Sequence, residues 1–301
     1  MLAKHQINPN LNWIETRTLN TREKNTLLDE YKISEEVLEY VTDTYEQSNY
    51  IHEPVDEQEL IILHMPARSG ENNRYITKPI SFLIKDKTLF TFNESDSTIM
   101  NQDMEKETGY ESLDTPTSYM LEKIYFLMGS FFPVLREVTR QRHVLDDMLT
   151  KKLTNKELVK LAYLQQSLTF ILNAAESNVE ALILVEKSKF GKNLSEVEKE
   201  RLEDAIIEAE QIVHMAELEG KIVDKIAKIF DSIMNNNLND TMKFLTVWSL
   251  AIAIPTLITG FFGMNINLPK VDQSYGWLQL TILSVVLIIW LILGLKRNKK
   301  V

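Results

Sequence analysis

The chain has 301 residues and not one cysteine. That absence excludes a disulfide framework, a thiolate zinc cluster and a cysteine nucleophile. Enzyme signatures are missing too: no GxGxxG, phosphate loop, GxSxG or HExxH occurs in the sequence, so neither nucleotide-driven nor hydrolytic chemistry has a motif to rest on. The expectation is a protein that is not an enzyme and holds no cofactor. Basic residues are outnumbered, 33 against 43 acids, for a formal charge of -10. A nucleic-acid binder needs the opposite balance to replace phosphate counterions, so no nucleic-acid partner is expected. The five histidines are scattered. His214 has Glu210 and Glu217 at helical spacing; a solvated helix face is the ordinary explanation of such a trio, and a weak transition-metal site is the alternative. Asp146 and Asp147 read as surface charge.

Charge itself is lacking over two long stretches near the C-terminus. Phe244–Phe262 and Trp277–Leu295 each run nineteen residues without a charged side chain. At 1.5 Å per residue each covers about 28 Å, the thickness of bilayer hydrocarbon. Both are expected to span a membrane, with a buried helical hairpin in a soluble core as the alternative. Lys296, Arg297, Lys299 and Lys300 crowd the end of the second stretch, and the positive-inside rule puts that end in the cytoplasm. Two spans return the chain to its starting side. Residues 1–238 are therefore expected in the cytoplasm, residues 263–276 in an outward loop and residues 296–301 in a basic tail. Residues 1–10 hold no apolar stretch resembling a signal peptide, in keeping with that orientation. The charges of residues 239–295 cancel and the tail adds four positive ones, which leaves -14 on residues 1–238. An acidic body thus hangs below a basic rim.

Within that body, residues 1–112 predict a small α/β domain. Trp13–Thr16, Tyr50–His52, Leu60–Met65, Ile80–Lys85 and Leu89–Phe92 are short β-like runs, separated by turn material such as Lys85, Asp86 and Lys87, while Thr21–Glu30 and Ser34–Asp43 read as helices. Residues 113–238 turn to long helical patterns. A helix is expected over Thr117–Leu149, bent at Pro133. Another is expected over Lys156–Lys189, broken by Gly191, with Leu158, Leu161, Gln165, Leu168, Leu172, Ala175, Val179 and Leu182 on one face. Thr154 with Glu157 and Ser195 with Glu198 are capping boxes that mark two helix starts. From Ser195 no proline intervenes before Pro255, so a third helix is expected to run unbroken into the first span, about 100 Å in all. One stripe of it, Leu202, Ile206, Ala209, Val213, Ala216, Gly220, Val223, Ala227, Phe230 and Met234, can bury against the preceding helices. A second, Met215, Leu218, Ile222, Ile229 and Ile233, is left for a neighbouring subunit or belongs to one broad core face.

Read by face, the first span carries a small or polar stripe: Asn239, Met242, Thr246, Ser249, Ala253, Thr256 and Gly260. Close helix packing in lipid and the lining of a pore are equal explanations of that stripe. Two spans cannot enclose a channel, so a pore would need a ring of chains. At the outer end stand Gly263, Met264 and Asn265, within TGFFGMN; glycine admits backbone angles denied to other residues, and the amide oxygen of asparagine suits a hard cation or its water shell. With Met242, Lys243, Leu245 and Thr246 (MKFLT), Pro255 and the two-span layout, the sequence resembles the CorA-type magnesium transporter family.

That resemblance implies an α+β cytoplasmic domain with a long helical stalk and two C-terminal transmembrane helices, assembled as a homopentameric funnel in the cell membrane with both termini cytoplasmic. It implies a transmembrane domain over residues 239–301, with the first span lining the pore and the second facing lipid. Gly263, Met264 and Asn265 would form a selectivity ring. Asn239, Met242, Leu245, Ser249, Ala253, Thr256 and Gly260 would face the axis, with Met242 and Leu245 as the hydrophobic constriction. The function implied is passive uptake of Mg²⁺, with Co²⁺ and Ni²⁺ as further cations, driven by the membrane potential and gated by intracellular Mg²⁺. Asp224 and Asp231 are candidate regulatory metal ligands, with a solvated charged face as the default. The alternatives are a Zn²⁺ transporter of the same superfamily and, more distantly, a membrane-anchored scaffold or sensor without transport. Two departures stand out. Phe262 replaces the tyrosine that many members have before the glycine, and Asn267, Leu268, Pro269 and Lys270 replace the acidic MPEL segment, leaving Asp272 as the only acid of the outer loop.

Overall fold

β-Branched and aromatic runs in the N-terminal portion form strands β1 (Leu2–Asn8), β2 (Leu11–Arg17), β3 (Asn49–Glu53), β4 (Gln58–Arg68), β5 (Tyr75–Lys85) and β6 (Thr88–Asn93). They make one sheet of order β1-β2-β6-β5-β4-β3. Every neighbouring pair is antiparallel except β2 and β6, which run parallel. The computed structural model describes residues 1–8, 11–53, 58–70, 74–97, 99–100, 114–150, 154–264 and 275–297. It divides into two units, Met1–Ala227 and Lys228–Val301.

In the first unit both faces of the sheet are covered, which is why β4 and β5 read as nearly continuous apolar runs and not as an alternation. Helices α1 (Thr21–Asp29) and α2 (Glu35–Thr42) cover one face. Leu27, Val37 and Val41 pack there with Leu60, Ile62, Leu83 and Phe90. The other face receives α3 (Pro116–Gly129) and α5 (Asn155–Lys187), α5 lying against β3, β4 and β5. Trp13 belongs to this side: its Nε1–H donates to Thr91 Oγ1 at 3.0 Å, and its ring sits 5.8 Å from that of Tyr119. The hairpin between β5 and β6 turns at Asp86, whose φ of 53° is a left-handed angle that aspartate tolerates.

The first strand escaped prediction. β1 carries three consecutive exposed polar residues, Lys4, His5 and Gln6, on an edge that pairs only with β2, so no apolar run announces it. The helix expected over 117–149 is two helices, α3 and α4 (Phe131–Asp147), and the break falls at Ser130 and not at Pro133. Pro133 occupies the first turn of α4, where its missing N–H has no partner to lose. Likewise α5 ends at Ser188, before Gly191. A four-residue helix, α6 (Lys189–Lys192), follows. Gly191 is needed there for space, since a Cβ would lie 2.1 Å from the Val185 carbonyl oxygen.

The buried face of α5 is broader than the expected one: Leu161, Leu168, Ala175 and Leu182 are inside as expected, joined by Leu164, Ser167, Ile171, Ala174 and Asn178, while Leu158, Gln165, Leu172 and Val179 are half-buried. Asn178 is fully buried and completes the outer edge of β4 beyond the end of β3. Its Oδ1 accepts from the His64 N–H at 2.8 Å and from Ser48 Oγ at 2.9 Å, and its Nδ2 donates to the His64 carbonyl at 2.8 Å. Two backbone groups that would otherwise be orphaned are thereby satisfied.

Both expected capping boxes are formed, and one does more than cap. Glu198 Oε2 accepts from the N–H of Ser195 at 3.0 Å and from its hydroxyl at 2.8 Å, at the start of α7 (Glu196–Phe262). Its other oxygen accepts from the hydroxyls of Thr115 and Ser118, each at 2.9 Å, at the start of α3. One carboxylate thus fixes two helix starts. α7 is a single helix of 67 residues, as expected. Leu202, Ile206, Ala209, Ala216, Val223 and Phe230 of its first stripe are buried.

Candidate ion pathway and metal sites

The second unit contains the last part of α7 and the helix α8 (Gly276–Arg297). Both satisfy the length and composition of a membrane span, and almost none of their apolar windows is buried, 0% and 11%. Such low burial in the single chain speaks against a hairpin hidden in a soluble core. A third helix, α5, passes the same test of length and composition, but its packing on the sheet and its buried Asn178 make it part of the first unit's core.

Successive helical residues turn by about 100°, so position along α7 fixes direction. Asn239, Met242, Leu245, Ser249, Ala253, Thr256 and Gly260 fall within an arc of about 120°, and all are exposed in the single chain. Val247, Ala251, Ile254, Ile258 and Phe262 lie on the opposite side and are half-buried. Exposed Phe244 and Trp248, edge to face at 6.0 Å, also point away from the stripe. The stripe therefore sits on the side of α7 away from the residues its own chain covers.

Its hydroxyls have a consistent geometry. Thr246 donates to the Met242 carbonyl at 2.8 Å, Ser249 to that of Leu245 at 2.8 Å, and Thr256 to that of Ile252 at 2.9 Å. Each hydroxyl proton is thus committed to the helix, and what the oxygen offers outward is lone pairs. A face built in this way favours cations or the hydrogens of their water shells. Pro255 sits inside the helix without ending it. The Thr259 hydroxyl donates to the Pro255 carbonyl at 2.8 Å, the same bond to the preceding turn that the stripe hydroxyls make.

Gly263 closes α7, its N–H donating to the Thr259 carbonyl at 2.8 Å. Its φ is not positive, so the expected conformational freedom is not what this position uses. The need is room, because a Cβ here would lie 2.9 Å from the Thr259 oxygen. Met264 is exposed. Asn265, the outer-loop positions 267–270, Asp272, and Lys299 and Lys300 of the tail lie outside the described residues. In α8, Trp277 and Trp290 are exposed and Ser284 is buried, its hydroxyl donating to the Leu280 carbonyl at 2.8 Å.

Of the candidate regulatory ligands, Asp224 is exposed and accepts from Gln165 Nε2 at 3.0 Å, and Asp231 is exposed. Among the described residues no group of three or more histidine or acidic side chains could hold a metal ion. The His214 trio accordingly stays a solvated helix face, with Glu217 engaged by Lys221 at 2.9 Å and its carboxyl held below the ordinary carboxylate range by that lysine. Sequence spacing did not single out Arg74, Arg140 and Lys160. They lie far apart in the chain, and the fold brings them around one cavity between α4 and α5.

These features define a protein with an α+β domain, long helices, and apolar helices of a length to cross a membrane. A family model described as CorA-like Mg²⁺ transporter protein matches residues 8–297, and the chain belongs to that family, one of transporters and not of enzymes. The chain is 22% identical over 299 residues to a magnesium transport protein CorA of Helicobacter pylori, covering 95% of this chain and 89% of that protein. It is 25% identical over 163 residues to the cobalt/magnesium transport protein CorA of Methanocaldococcus jannaschii, an alignment that spans about half of each, 54% and 51%. The complete structure of the CorA magnesium transporter from Methanocaldococcus jannaschii superposes with a TM-score of 0.78 at 21% identity, covering 96% of this chain and 90% of that one. That likeness is one of fold.

Proposed function

We propose that the protein is a passive channel for divalent cations, taking up Mg²⁺ down the membrane potential. The observation that carries this reading is the small and polar face of α7, exposed along its length and presenting oxygen lone pairs. Five copies, the number the family resemblance implies, would turn that face inward around an axis, with α8 toward lipid and both termini in the cytoplasm. Met242 and Leu245, 60% and 65% exposed in the single chain, would meet their copies as an apolar constriction that gates by excluding water. Gly263, Met264 and Asn265 would form the outer ring. Mg²⁺ releases water reluctantly, so neutral oxygens suit a hydrated ion better than a carboxylate cage. No ATP chemistry is needed, since 100 mV supplies about 4.6 kcal/mol to a double charge. Co²⁺ and Ni²⁺ are the further cations of this reading.

Regulation by internal Mg²⁺ belongs to the same proposal. The charge of -14 on residues 1–238, repeated around a ring, repels itself, and divalent ions between subunits relieve that repulsion and favour the closed state. Asp224 and Asp231 would serve there only with ligands from another subunit.

The test is purified full-length protein in liposomes loaded with a Mg²⁺ dye. Mg²⁺ influx that grows with an inside-negative potential is expected. Flux of Zn²⁺ alone would select the zinc-transporting reading, and no cation flux would leave a membrane-anchored scaffold or sensor.

A further inference from the structure

The chain is acidic overall, yet a cavity of about 350 Å³ in the first unit is rimmed by Arg74, Arg140 and Lys160. Arg74 immediately precedes β5, Arg140 lies on α4 and Lys160 on α5. Arg140 is already neutralised, its guanidinium donating twice to Glu137, at 2.8 Å each. The other two form no ion pair of this kind among the described residues. Arg74 has one N–H on the neutral amide oxygen of Gln166 at 3.0 Å, its guanidinium carbon is 5.9 Å from the centre of the Tyr163 ring, and its buried Nε–H finds no acceptor among the described residues. Lys160 is exposed at the rim, and the acid that feels its charge is Glu157, one turn earlier on α5.

The guanidinium is therefore held in place by an aromatic face and an amide, and its charge meets no acid among the described residues. A buried polar group without a partner carries a desolvation cost that an incoming acceptor recovers. Between the cations the walls are partly apolar, Val144 and Leu164, with Tyr163 offering a ring face and Gln141 an amide. Cations on the rim, an apolar interior and a few convergent polar groups are the makings of a small-molecule site.

We propose that this cavity binds a small phosphate-bearing anion with a planar or apolar body. The planar fork of Arg74 suits two phosphate oxygens, Lys160 adds a second positive charge, and Tyr163 and Val144 meet the body. A simple inorganic anion would use the cations and leave the walls empty. Since the ligand would touch α4, α5 and the start of β5 together, occupancy should brace these three elements against one another. This proposal is independent of the ion pathway, because binding is read without any ion flux.

The experiment is calorimetric titration of the full-length protein in detergent, at constant ionic strength and without Mg²⁺, with inorganic phosphate, adenosine monophosphate and adenosine as probes. Saturable binding of adenosine monophosphate is expected, at least about tenfold tighter than phosphate and with adenosine weaker than both. Arg74→Gln and Lys160→Gln should each weaken it, Arg74→Gln by at least about tenfold. Should Arg74→Gln fail to fold, Lys160→Gln and Val144→Glu, both at exposed positions, carry the test, the latter placing a carboxylate at the mouth. Phosphate binding as tightly as adenosine monophosphate would overturn the assignment of the apolar walls. No saturable binding, or equal binding by wild type, Lys160→Gln and Val144→Glu, would overturn the site.

Discussion

Glu198 shows how much one side chain can hold. It accepts four hydrogen bonds from the starts of two helices, and although burial works to raise its pKa, those bonds outweigh it and hold the carboxyl below the ordinary range. The sign follows from linkage. A depressed carboxylate pKa contributes stability that is complete above the unfolded value near 4.5 and is lost as pH falls through the folded one. Glu198→Gln removes the charge and turns one of the two accepting oxygens into a donor, so that the bonds to one of the two helix starts lose their acceptor, and should cost about 1–2 kcal/mol at pH 7. The measurement is the unfolding midpoint of wild type and variant between pH 7 and pH 4: the gap should be widest at pH 7 and should narrow on acidification. At the other end of α7, Asn265 is proposed to act through its amide oxygen. Asn265→Ala should abolish Mg²⁺ flux while leaving the assembly intact, and Asn265→Asp should bind the ion more tightly and release it more slowly. Normal flux in Asn265→Ala would contradict the role.

Among the elements, α7 was the most legible, because a continuous period with no proline before Pro255 leaves a helix no reason to stop. Its capping box was equally plain, whereas the second use of Glu198 depends on where α3 begins in space and has no signature in one sequence. The edge strand β1 was invisible for the same kind of reason, since its pairing with β2 and not an apolar pattern makes it a strand. The polar residue on a buried face of α5, Asn178, did leave a signal: it continues the row Ile171, Ala174, Ala175 at helical spacing. The second stripe of α7 is left open by the fold. Leu218 and Ile229 remain exposed, at 59% and 44%, which is more apolar surface than a solvated helix face needs. In a ring of chains these residues would be covered. Leu218→Asp combined with Ile229→Asp should shift the protein toward smaller species in mild detergent, as light scattering reports, and an unchanged mass would remove this surface from the interface.

On the scale of the whole molecule, the two long apolar helices near the C-terminus were readable from charge alone, because long uncharged runs are rare outside membranes. The stripe on α7 was readable as a pattern but not as a purpose, since packing and pore lining ask for the same small residues. What tilts the account is that the stripe lies away from the half-buried side of its own helix, with its hydroxyl protons already spent on the backbone. The absence of cysteine makes that account directly measurable. Single cysteines placed at Ser249, Ala253, Thr256 and Gly260, and for comparison at Val247, Ile254 and Ile258, can be treated with a membrane-impermeant thiol reagent in proteoliposomes held open by Mg²⁺ depletion. Modification at the first four with loss of Mg²⁺ flux is expected, and protection at the other three. Modification of both sets alike, or full flux after labelling Ser249 and Thr256 positions, would contradict it.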